Sequence, residues 1–243
     1  MAILVSGLLA LINGPWLRVG RLAWAGERYT DVTELERALA SLDGAALLTV
    51  ATNDLALELE RLPAVAGARV EAVLPNAVKV TIVEKEAAFV WQTSAVRLVG
   101  AADGTLIGQV ALQADLPADL ATLPLIDDRR VDSRDIIVGD QIDAATLAAA
   151  LRLSAVDPTA LASQALDLDV RLTDDDGFLL VSHSPLWQAD FGFYPPQDAG
   201  ESGTLDERVS AQVAAVRTLF SFQREGEVSW VDARDPGRGY WRP

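Results

Sequence analysis

The 243 residues contain 20 Lys and Arg against 35 Asp and Glu, a formal charge of −15, and half of them are hydrophobic. That acidity argues against nucleic acid, whose phosphates reward Lys and Arg, and the absence of cysteine excludes disulfides, thiolate metal sites and cysteine nucleophiles. The length predicts more than one domain, each able to bury a proper core. Met1 to Ile12 is nearly all apolar, but Asn13, Gly14 and Pro15 interrupt it, and a spanning helix needs about 20 such residues. Three readings fit: a cleaved signal peptide, although no Lys or Arg precedes Arg18; a buried core helix; or the outer half, Ile3 to Leu17, of a longer transmembrane anchor. Arg18 and Arg21 would then lie outside, against the positive-inside tendency, so charge does not orient the segment.

From Leu17 to Ala87 the strand, helix and turn signals form one unit. A strand-like run, Leu17 to Trp24, is closed by Gly26. A helix starts at Asp31, with Glu34 placed to complete a capping box. Leu35, Ala38, Leu39 and Leu42 form its apolar stripe, and Gly44 ends it. A second helix begins at Asn53 or Asp54, carries Leu55, Leu59 and Leu62 on one face, and stops at Pro63. Strands Val65 to Val73 and Ala77 to Val83 follow, joined by the turn Leu74-Pro75-Asn76. The predicted order is β-α-α-β-β.

Further on, Ala87 to Trp91, Arg97 to Val99 and Thr105 to Ile107 read as strands, the last two turning at Asp103-Gly104. Leu116 to Pro124 reads as a connecting loop. Asp127 to Arg130 with Asp132, Arg134 and Asp135 reads as a solvated loop of weak ion pairs. A helix from Asp143 to about Ala155 follows, then a strand in which Leu166, Leu168, Val170 and Leu172 oppose Asp167, Asp169 and Arg171. The turn Asp174 to Gly177 leads into Phe178 to Val181, and Trp187 to Phe193 alternates as another strand. Pro195 to Gly203 is an excursion rich in Pro and Gly. An amphipathic helix with Leu205, Val209, Val213, Val216 and Phe220 precedes the last strand, Glu227 to Ala233. Without a βαβ rhythm, the second domain reads as α+β with a largely antiparallel sheet.

Candidate chemistry is sparse. His183, the one histidine, sits between Ser182 and Ser184; adjacent strand residues point to opposite faces, so it cannot pair with Ser182 as a dyad. Asp174 to Asp176 lack the alternating ligands of a calcium loop. Glu84 and Glu86, alternating with Lys85, read as a charge cluster at a strand end. No phosphate-binding loop or metal-ligand spacing occurs, and no catalytic, cofactor or metal residue is expected. Trp230, Tyr240 and Trp241 stand apart, because terminal aromatic residues are enriched at interfaces. A last strand has one free side, whose unpaired amides and carbonyls can template another chain's strand.

Val19, Leu22, Trp24 and Gly26, then Glu34-Leu35, Gly44, Leu47-Leu48, Leu62-Pro63, Val65, Ala68, Val70, Leu74-Pro75, Val78, Val80, Ile82 and Glu84 to Ala87 resemble the POTRA domain of the bacterial FtsQ/DivIB division family. Val231 to Arg234, Pro236-Gly237 and Tyr240 to Pro243 are similar to that family's C-terminal strand and tail. The resemblance implies an anchor at 1–16, a POTRA domain at 17–87 and a C-terminal α+β domain at 88–243. It implies a membrane-anchored, non-enzymatic divisome scaffold, mostly extracytoplasmic, that takes partners of the FtsB and FtsL type by strand addition. The expected partner-binding residues are Val228, Ser229, Trp230, Val231, Arg234, Gly237, Tyr240 and Trp241; Asp235 stands where some members carry an aromatic residue. A POTRA module of a translocation system is the alternative, though tandem copies and a barrel are missing, and a cell-wall hydrolase is a third.

Overall fold

The computed structural model describes residues 15–194, 203–235 and 238–243. The chain divides into two compact units, one ending at Glu86 and the other running from Ala87 to Pro243.

The first unit holds β1 (Arg21–Ala25), α1 (Val32–Leu39), α2 (Thr52–Leu59), β2 (Val65–Val73) and β3 (Ala77–Glu84), the succession the sequence predicts. β3 lies centrally in a three-stranded sheet, with β1 parallel on one side and β2 antiparallel on the other. The first strand starts later than Leu17, because Pro15–Leu17 form a 3-10 turn, a start that proline's fixed φ favours. Arg18 makes an isolated bridge to Ala46, and its Nη1 donates to Gly44 O at 3.0 Å. Asp31 caps α1 as expected, but through Thr33 N at 2.6 Å and not through a reciprocal box with Glu34. Leu35, Leu39, Leu55 and Leu59 point from the helices onto Val70, Val78, Val80 and Ile82, all of them buried. Each such leucine stabilises the unit by about 1.5–3 kcal/mol. Gly26 is required where it stands: φ is +103°, and a Cβ would lie 2.0 Å from the carbonyl oxygen of Ile82.

The second unit is a nine-stranded sheet in the order β12-β11-β10-β9-β8-β7-β4-β5-β6. Its strands are β4 (Ala87–Gln92), β5 (Arg97–Ala101), β6 (Leu106–Val110), β7 (Leu125–Asp128), β8 (Asp169–Thr173), β9 (Gly177–His183), β10 (Leu186–Gly192), β11 (Trp230–Asp232) and β12 (Tyr240–Arg242). α3 (Ala144–Ser154) and α4 (Leu205–Phe222) pack on the face that carries Leu180, Ala189, Phe191 and Val231. Asp143 caps α3 through Thr146 N at 2.9 Å. A reciprocal capping box lies at α4, between Thr204 and Glu207. The α+β class holds, but the sheet is mixed: β4 with β7, β7 with β8 and β10 with β11 are parallel. The sequence hides two of these pairs because β7 is only four residues long, and the third because β10, α4 and β11 form a crossover unit that the expectation of no βαβ rhythm passed over.

That short strand also corrects the reading of Asp127 and Asp128 as a solvated loop. Both lie in β7 and are buried, at 6% and 0% exposure. Asp127 accepts from Arg129 Nε at 2.7 Å and Arg171 Nε at 3.2 Å. Asp128 accepts from Trp91 Nε1 at 3.0 Å and Arg130 Nη2 at 2.8 Å. Carboxylates can stand in the sheet because each is paired, which offsets the cost of removing it from water. Leu166, expected inside the next strand, is 95% exposed, because β8 begins only at Asp169. Of the predicted excursion Pro195 to Gly203, residues 195–202 lie outside the described residues, as does 1–14 of the apolar N-terminal run. Among the described residues, no helix is long and apolar enough to cross a membrane.

Candidate functional site at the C-terminal sheet edge

The expected last strand, Glu227 to Ala233, is shorter than predicted. Glu225–Glu227 form a 3-10 turn, and β11 spans only three residues. β11 has no free side. Trp230, Val231 and Asp232 run parallel to Gln188, Ala189 and Asp190 of β10, and pair on the other side with Arg242, Trp241 and Tyr240 of β12. Strand addition at Val228 to Val231 is therefore blocked by the chain itself. Among the described residues, the open edge lies one strand further out, at β12.

The expected partner-binding residues separate accordingly. Val228 and Val231 are buried in the core, at 2% and 0% exposure. Ser229 ties down the chain terminus: its amide donates to Arg242 O at 2.9 Å and its hydroxyl to Pro243 O at 2.7 Å. The Trp230 ring is covered by the Arg242 guanidinium, 4.6 Å from its centroid. Tyr240 and Trp241 lie on the edge strand, 60% and 38% exposed. Trp241 shares a sheet face with the core residue Val231, its partner in register, whereas Tyr240 shares the opposite face with Asp232. Gly237 lies outside the described residues.

Arg234 is engaged within the fold. Its Nη2 meets Asp232 Oδ2 at 2.6 Å, and its Nε lies 3.4 Å from Asp190 Oδ2. Its carbonyl accepts from Gln212 Nε2 at 3.3 Å and Arg208 Nη2 at 3.1 Å, both on α4. Burial pushes the Asp190 carboxyl up to about 7, against the pull of Arg234 and of the Gly192 amide. The Arg234 bond holds Asp232 below the usual carboxylate range, although burial opposes it. This cluster fixes the chain just after β11 and so places the turn that leads to β12.

Sequence reasoning missed the residues that support this arrangement. Gln212 is fully buried in α4; it accepts from the Tyr194 hydroxyl and donates to Phe191 O at 2.9 Å. Its signal was readable, since position 212 falls between Val209 and Val216 on the apolar stripe. Glu225, also buried, accepts from the Ser163 hydroxyl, Gln164 N at 2.8 Å and Trp187 Nε1 at 2.6 Å.

The candidate chemical groups are held in structural bonds. Ser182 is buried and donates to Pro185 O at 2.6 Å, whereas His183 faces Asp169, Nε2 to Oδ2 at 2.7 Å; the two side chains do not meet. Asp174 accepts from Val131 N at 2.8 Å. Among the described residues, no group of three or more His, Asp or Glu could hold a metal ion. Glu84 is no loose charge at a strand end. Its carboxylate accepts from the amides of Arg28, Tyr29 and Thr30 at 2.8–3.0 Å and from the Thr30 hydroxyl at 2.6 Å. It clamps the loop between β1 and α1 onto β3.

Residues 18–85 match the family described as POTRA domain, FtsQ-type. The matched span begins just before β1 and ends just after β3, so it covers the first unit's whole succession of elements. No curated protein matches the chain.

Proposed function

We propose that this chain, whose first unit is a POTRA domain of FtsQ type, is a non-enzymatic scaffold of the bacterial division machinery. In this reading the apolar run at 1–16 anchors it in the cell membrane as a single pass, with the bulk of the chain extracytoplasmic at the division site. The POTRA domain recruits or localises, and the second unit links partners of the FtsB and FtsL type during septum assembly. The observation that carries the reading is the FtsQ-type match over residues 18–85.

The free side of β12 supports a mechanism for the linking step. Another chain's strand adds beside Tyr240, Trp241 and Arg242, with backbone hydrogen bonds supplying affinity and the two aromatic side chains supplying specificity. The edge is only three residues long, a length that limits promiscuous pairing. In this reading β12 is the docking strand, because β11 is paired on both sides, and Val228, Ser229, Val231 and Arg234 are its support. Capture of an FtsB-type protein from the same genome tests this. Trp241→Ala weakens capture about 30-fold, as expected for an aromatic hot spot worth about 2 kcal/mol. Unchanged capture by Tyr240→Ala/Trp241→Ala refutes the edge mechanism.

A further inference from the structure

One end of the POTRA sheet joins exposed apolar side chains to basic ones. Gly20 N and Arg21 N donate to the carbonyl of Asn76 at 2.9 and 3.2 Å, and Arg21 Nη2 donates to Asn76 Oδ1 at 3.3 Å. The turn between β2 and β3 is thereby fastened to the start of β1, where the chain arrives from its apolar N-terminal run. Apolar side chains stand in water here: Trp16 is 80% exposed, Leu74 67% and Val73 45%. Neither Leu74 nor Trp16 is among the buried side chains of the unit's core.

Charge is distributed to match. The chain has 35 acidic residues, yet none occurs in 1–26 or in 72–83, where Arg18 and Arg21 supply the charge, Lys79 being opposed by Glu71 in the register of β2 and β3. Arg18 and Arg21 are both exposed. In a protein of net charge −15, this is an end that an anionic surface would not repel. An exposed Trp and two arginines on the segment that is fastened at Gly20 and Arg21 to an apolar turn make a side-chain set that suits a headgroup layer: the ring sits at the interface, the cations pair with phosphates and the leucine enters the acyl boundary.

We propose that this end of the POTRA domain, Trp16, Arg18, Arg21 and the Leu74 turn, rests on the anionic headgroup layer of the membrane, with Leu74 inserted at the interface. The proposal builds on the reading of the apolar N-terminal run as an anchor, which would hold the end within reach of the bilayer. Docking there sets the direction in which β1 and β3 leave the membrane, and hence the orientation of the domain.

The chain lacks cysteine, so a single introduced thiol can carry an environment-sensitive fluorophore. Leu74→Cys places it at the turn. Val83→Cys, 61% exposed, places it near the far end of β3, about 20 Å from the turn. The full chain is mixed with vesicles of phosphatidylcholine alone or with phosphatidylglycerol added, each carrying a lipid-borne quencher, and sedimentation of the unlabelled chain is read separately. The label at 74 is quenched in the phosphatidylglycerol vesicles and the label at 83 is not. Arg18→Gln with Arg21→Gln shifts the docked-to-free ratio at 74 by about 25-fold, at roughly fivefold per cation. A chain that sediments with both vesicle types while the label at 74 stays in water overturns the contact and leaves the anchor standing. Sedimentation with phosphatidylglycerol vesicles alone, with 74 quenched, supports the contact and counts against the anchor. Equal quenching at 74 and 83, or shielding of 74 that appears only when another protein is added, also overturns it.

Discussion

Glu84→Gln removes a charge and leaves the side-chain shape almost unchanged, so it isolates what the carboxylate does for the loop between β1 and α1. Four donors converge on it, the amides of Arg28, Tyr29 and Thr30 and the hydroxyl of Thr30. Hydrogen bonds to a charged group contribute about 1.5–3 kcal/mol each, but they share one acceptor and Glu84 is only partly buried. Solvent screening therefore lowers the total, and about 2 kcal/mol is the expected loss. Burial raises the Glu84 pKa, and the bonds from Arg28, Thr30 and Tyr29 outweigh it, so the carboxyl titrates below its ordinary value of 4.5. A depressed carboxyl pKa contributes stability that is present above the unfolded value and is lost as pH falls through the folded one. The variant and the parent chain should thus differ at pH 7 and converge as pH falls through the folded pKa of Glu84, which lies below 4.5. Hydrogen exchange at Tyr29 and Thr30 reads the clamp directly, and thermal unfolding of the POTRA transition should fall by roughly 8–16 °C at pH 7. Unchanged protection of both amides in the variant, or an equal loss at pH 7 and pH 3, would refute the clamp.

Asp190 should behave in the opposite sense. Its carboxyl titrates at about 7 in the folded chain, so stability falls as pH rises from the unfolded value near 4 towards 7. Urea unfolding at stepped pH should show a decline of a few kcal/mol, and Asp190→Asn should flatten it; an unaltered slope would count against the buried, poorly compensated carboxylate. Asp128→Ala leaves Arg130 and the Trp91 indole without their buried partner, at a cost of about 3–5 kcal/mol by chemical denaturation, and a cost below 1 kcal/mol would contradict the burial of the pair. Gly100→Ala places a methyl group 2.0 Å from the Phe89 ring, so overpacking should destabilise the second unit by about 1–3 kcal/mol, whereas a neutral result would mean that Phe89 can move aside.

The first unit was legible because its helices and strands each carry their own signal. Leu35, Leu39, Leu55 and Leu59 keep helical spacing, and Val78, Val80 and Ile82 alternate cleanly, so pattern alone separates the helix pair from the sheet. β7 was not legible. Beside the neighbouring Arg129 and Arg130, four residues ending in two aspartates look like a polar loop until Trp91 and Arg171, drawn from other parts of the chain, are seen around them. Those partners are set by long-range packing and leave no local pattern. The terminal edge was half legible. Trp230, Tyr240 and Trp241 marked the region, but the return of Tyr240 to Arg242 alongside Trp230 to Asp232 depends on the turn held by Arg234, Asp232 and Gln212. Three residues are too few to show strand periodicity, so β11 looked like the outermost strand. Gln212 shows the reverse case, a polar residue on an apolar stripe whose misfit was visible in the sequence.

Backbone hydrogen exchange at Tyr240, Trp241 and Arg242, with and without a bound FtsB-type partner from the same genome, tests the scaffold mechanism most directly. Strand addition predicts slowed exchange at these amides, with β11 protected equally in both states because its two sides are already paired. Partner binding that leaves all three amides unchanged would contradict it.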